Sequence, residues 1–94
     1  MNNKHIEMLG KQGKDAVSGF TGIVTSVSFD LYGCVQAVLT PKADNKGEIK
    51  DGHWFDVARI KITSRETVLT PPDFETGYIA EGRKGAASKT VPKI

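Results

Sequence analysis

"GFTGIVTSVSFDLYGCVQAVLTPK", residues 19–42, decides the fold. It reads as two strands joined by a tight turn. From Ile23 to Phe29 the chain is rich in β-branched residues. Ile23, Thr25, Val27 and Phe29 share one parity, and Val24, Ser26 and Ser28 the other. A period of two with the larger apolar side chains on one side predicts a half-buried strand. Asp30-Leu31-Tyr32-Gly33 closes a turn, because Asp bonds the backbone ahead of it and Gly supplies a positive φ. Over 33–40, Val35, Ala37 and Leu39 alternate with Cys34, Gln36, Val38 and Thr40, and the first set is expected inward. Pro41 has no N–H for a ladder and ends the strand.

Working outward, residues 14–18 are a short strand candidate and 42–52 a polar loop, flexible at Asn45-Lys46-Gly47. "HWFDV", 53–57, is a short strand with Phe55 and Val57 on one side and Trp54 and Asp56 on the other. Ala58-Arg59 suits a 3₁₀ corner before a last strand over 59–63, with Ile60 and Ile62 inward. Arg65–Thr70 can add an edge strand through Val68 and Leu69, which Pro71-Pro72 ends. The expected core is Val17, Ile23, Val27, Phe29, Val35, Ala37, Leu39, Phe55, Val57, Ile60 and Ile62.

Connections this short force antiparallel pairing. Five such strands have too few residues for two packed sheets, whereas curling buries their apolar faces. The expectation is an all-β fold, a small five-stranded SH3-like barrel with a flexible C-terminal tail. An OB-fold, the alternative, needs a longer chain and a helix. Residues 1–12 form a leader, with Ile6 and Leu9 on one side of a possible helical turn. Residues 13–70 form the barrel, and 71–94 the tail, where Phe74, Tyr78 and Ile79 are the apolar exceptions.

The chain has 94 residues, room for one small domain whose core is marginal, so oligomerisation is a natural remedy. Hydrophobic residues are 38% and charged residues 26%, as in soluble globular proteins. Net charge is +2, spread without a polybasic arm, so nothing supports nucleic-acid binding. Cys34 is the single cysteine, which excludes an internal disulfide and makes a reducing cytoplasm the expected compartment. "MNNKHIEMLG" lacks an apolar stretch, so a signal peptide is not expected. No window approaches the roughly 18 apolar residues of a membrane helix.

Catalytic and metal motifs are missing. His5, His53 and Cys34 form no cluster at ligand spacing, and no metal or cofactor is expected. His53 reads as an exposed loop residue. Gly19-Phe20-Thr21-Gly22 precedes a strand and not a helix, so it reads as a turn or bulge and not a phosphate loop. Cys34 has no assignable base and reads as a partly buried strand thiol. Ser26, Ser28 and Asp30 read as solvent-facing polarity.

Trp54 is the sharpest single residue. If Phe55 is inward, Trp54 points outward, and an exposed indole commonly marks a contact with a partner or ligand. Asp56 shares its face, with Gln36 and Tyr32 expected to flank it. The candidate interface or ligand patch is Tyr32, Gln36, Trp54 and Asp56.

The pattern Gly19-Phe20-Thr21-Gly22, Tyr32-Gly33-Cys34-Val35-Gln36, Pro41-Lys42 and Trp54-Phe55-Asp56, over about residues 13–62, resembles a family of small proteins carried by bacteriophages, prophages and other mobile DNA. A weaker similarity is to plasmid-borne trimethoprim-resistant dihydrofolate reductases, SH3-like barrels whose active site lies at a tetramer pore. Their Val-Gln-Ile-Tyr stretch is not matched, since Val35-Gln36 is followed by Ala37-Val38, so reductase activity is not carried over. The resemblance implies a genomic source more than an activity. The expected function is a non-enzymatic binding or assembly module of a phage or mobile element, acting as a homo-oligomer, with a host protein or small ligand as a further partner. The alternative is a protein that binds or sequesters a small nucleotide-like ligand in a pocket between subunits.

Overall fold

A computed structural model describes residues 4–74. After a 3₁₀ turn at Ile6–Met8 come β1 (Lys11–Asp15), β2 (Thr21–Phe29), β3 (Val35–Thr40) and β4 (His53–Asp56). A second 3₁₀ turn, Val57–Arg59, leads into β5 (Ile60–Thr67). All pairings are antiparallel and the five strands form one sheet in the order β4-β3-β2-β1-β5. The expected all-β class is therefore found. The first four strands form a meander, and β5 returns to pair with β1. Strands β4 and β5 are the two edges of the sheet.

Two turns show why the chain reverses where it does. Asp30 Oδ1 accepts hydrogen bonds from the Tyr32 and Cys34 N–H groups, both at 2.9 Å, and Gly33 sits at φ 93°. In the 42–52 loop Asp44 Oδ1 plays the same part toward Lys46 and Glu48, so the segment expected to be flexible is a braced turn.

The core is small. Val24, Ala37 and Leu39 are fully buried, with Met8, Leu9, Phe20, Val27, Phe55, Val57 and Ile60 packed around them. Ala37 and Leu39 take the expected inward places. The expectation for β2 needs correction. Val24 pairs with Leu39 and Ser26 with Val38, so Thr25 is an extra residue, a bulge. The bulge reverses the parity. Val24 and Val27 both face the core, and Phe29, expected inside, is 48% exposed at the strand end. Ile23 and Val35 are half-buried.

The first strand also differs. It spans Lys11–Asp15 and not 14–18, and Ala16–Ser18 form the turn that follows. Val17 is therefore exposed and not core. β1 contributes almost no apolar surface, but Gly13 lets the core close over it. A Cβ there would stand 3.1 Å from both Leu39 and Ile60 side chains. Ile62, also expected inside, is partly exposed on edge strand β5. That strand absorbs Arg65–Thr67 from the expected edge segment. The expectations for Tyr78, Ile79 and the tail beyond Phe74 concern residues outside those described.

Candidate binding surface

Residues directly opposite in an antiparallel pair share a face of the sheet. Ser28 lies opposite Gln36, and Gln36 opposite Asp56. Ser26 lies opposite Val38, and Val38 opposite Trp54. These two rows make the outer face of β2-β3-β4. The structure thus brings Gln36, Trp54 and Asp56 together on one surface. Trp54 is 52% exposed, and Phe55 points the other way into the core cluster. Gly52 packs against Val38, the residue opposite the indole. It lies so close to Val38 and Thr40 that a Cβ would meet Val38 Cγ1 and Thr40 Oγ1 at 2.7 Å. Asp56 has a structural duty too, since its Oδ1 accepts from the Ala58 N–H at 2.9 Å and caps the second 3₁₀ turn.

Tyr32 stands apart from Trp54, on the β2–β3 turn, with Leu31 beside it. Both are nearly fully exposed, at 88% and 89%. Cys34 follows them and is exposed, not partly buried in a strand as expected. β3 begins only at Val35, so the thiol belongs to the turn. The Asp30 carboxylate raises its pKa, with some burial and Asp56 adding to the effect. A thiol held protonated by carboxylates is a poor nucleophile.

Sequence reasoning missed a second cluster, at the opposite face. Asp15 is fully buried. Arg59 grips it with two hydrogen bonds, Nε to Oδ1 at 2.7 Å and Nη2 to Oδ2 at 2.6 Å. The Ser18 N–H and hydroxyl donate to the same carboxylate. The guanidinium holds the Asp15 carboxyl well below the usual carboxylate range, against the opposing effect of burial. Asp15 in turn raises the pKa of Arg59. Arg59 lies over the Phe55 ring, 5.4 Å from its centroid. Phe20 packs against Phe55 at 5.5 Å and edge-on against His53 at 5.3 Å. His53, expected in a loop, is thus an exposed β4 residue with an aromatic neighbour. The cluster ties the turn after β1 to β4 and the second 3₁₀ turn. Its polar groups are already paired with one another, so it reads as a brace.

An apolar cleft of about 220 Å³ lies near the start of β2, lined by Leu9, Ile23, Val24, Val68, Leu69 and Phe74 among others. Among the described residues, no three His, Cys, Asp or Glu side chains gather to hold a metal ion. No helix among them is long and apolar enough to cross a membrane. Comparison of the chain with family models, curated proteins and solved structures found no match.

Proposed function

We propose that this chain is a non-enzymatic binding and assembly module of a phage or other mobile genetic element. It folds as an SH3-like barrel and acts as a homo-oligomer. One observation carries the reading. Among the described residues three hydrophobic side chains are buried, while ten large ones, Trp54, Leu31 and Tyr32 among them, are exposed. A small domain with few fully buried apolar side chains and many exposed ones gains stability by covering the exposed ones with a partner. The return of β5 to β1, and the 3₁₀ turn before it, support the barrel, in which the two sheet edges curl toward each other. The face of Gln36, Trp54 and Asp56 is a contact surface, with Tyr32 a separate contact on the turn. Sedimentation of the full chain over a wide concentration range tests the reading, and association is the expected result.

A second reading has one observation of its own. Trp54 offers an open indole beside the Gln36 amide and Asp56 carboxylate, which suits a planar ligand stacked between two copies. The Asp56 charge disfavours a phosphate there, so a nucleobase or nucleoside fits better than a nucleotide. Trp54 is the only tryptophan, and quenching of its fluorescence on titration with nucleosides is the test.

A further inference from the structure

We propose that the β2–β3 turn of one copy inserts Leu31 and Tyr32 into the apolar cleft of a second copy, joining the chains head to tail. The proposal deepens the oligomeric reading and rests on it. The turn is built as a rigid knob. The Asp30 N–H donates to the Cys34 carbonyl at 3.0 Å and the Gly33 N–H to the Asp30 carbonyl at 3.2 Å. Asp30 Oδ1 receives two further backbone N–H groups. A turn fixed this firmly loses little backbone freedom on docking, which favours binding. Yet it holds two adjacent large apolar side chains out in solvent at 89% and 88% exposure.

The cleft matches the knob in size and chemistry. None of the residues lining it is charged: Leu9, Ile23, Val24, Val68–Pro72 and Phe74 supply the walls, with Gly10 and Thr25. At about 220 Å³ it exceeds the roughly 150 Å³ that holds a benzene ring in an engineered apolar cavity. It falls below the roughly 300–1,000 Å³ of small-molecule sites. One phenol ring or leucyl group with part of its neighbour is the guest that fits.

The geometry assigns that guest to another copy. The cleft lies at Ile23–Thr25, and the knob follows Phe29 at the far end of the same strand. Four residues of extended chain, about 13 Å at 3.3 Å each, separate Thr25 from Phe29, and the knob projects beyond. Joined head to tail through a knob and a hole at opposite ends of one strand, the copies make a heterologous contact, which propagates into a ring or a filament.

The test places a photoreactive benzoylphenylalanine at position 32 of the full chain and irradiates a mixture of ¹⁴N- and ¹⁵N-labelled protein. Mixed-isotope cross-links from position 32 to residues 23–25 or 68–74 are expected. Leu31→Asp should weaken association about thirtyfold while the circular dichroism spectrum is kept. An oligomer that yields no such cross-link, or cross-links elsewhere, overturns this proposal and leaves the oligomeric reading standing. Capture of the same copy's cleft by a probe at position 78, with none from position 32, names the chain's own C-terminal segment as occupant and also overturns it. A chain monomeric at every concentration removes both.

Discussion

Arg59 and Asp15, 44 residues apart, meet in a two-point grip in which the carboxylate is fully buried and the guanidinium partly open. Removing one partner of such a pair leaves a buried charge without compensation, the costly case. Arg59→Met should therefore lower the thermal midpoint by about 10 °C or more. Lys50, which pairs with Asp44 at 3.2 Å from an exposed position, is the control. Lys50→Met should move the midpoint by no more than a degree or two, about the effect of a surface pair. Thermal melts of both variants decide it.

The same pair sets the acid response. The folded pKa of Asp15 is depressed, so the unfolded chain binds more protons at low pH. The stability Asp15 contributes is fully present above its unfolded value near 3.8 and falls as the pH drops toward the lower folded value. Asp44, lowered chiefly by the Glu48 N–H, acts in the same direction. Melting midpoints measured from pH 5 to pH 2 should decline steeply, and Asp15→Asn should flatten that decline from a lower start.

Gly22 makes a backbone prediction. In β2 it lies against Thr40 of β3, and a Cβ would meet the Thr40 backbone at 2.6–2.8 Å. Main chain cannot yield there without opening the β2–β3 ladder. Gly22→Ala should destabilise the fold by about 1–3 kcal/mol, as overpacking does. Denaturant titration reads it, with an unchanged slope showing that unfolding is still two-state.

Much of the sheet was legible because period-two runs and turn residues are local signals. Ala37, Leu39, Phe55 and the outward Trp54 follow from alternation alone. The bulge at Thr25 does not, because β2 alternates without a visible break and only its register against β3 shows the extra residue. β1 was misplaced because "KQGKD" carries no apolar side chain. Its place is fixed by ladders to β2 and β5, and by the core closing over Gly13. Buried Asp15 was hidden for a similar reason: its partner lies far along the chain. Of the candidate patch, Gln36, Trp54 and Asp56 share a face through strand parity and pairing, whereas the place of Tyr32 depends on where the turn points.

Trp54→Ala tests the outer face. The indole is half exposed and lies opposite Val38, so its loss should leave the fold and far-ultraviolet spectrum intact. Self-association should weaken by about 2 kcal/mol, the usual scale for a buried aromatic anchor at an interface. An unfolded variant would instead make Trp54 part of the monomer's own stability.

Sedimentation equilibrium of the unmodified 94-residue chain, from low micromolar to high micromolar concentration, bears most directly on the central claim. An average mass that rises with concentration above that of the 10.2 kDa chain is the predicted result, levelling at a whole-number multiple where the assembly closes into a ring. A mass that stays at one chain throughout would contradict it.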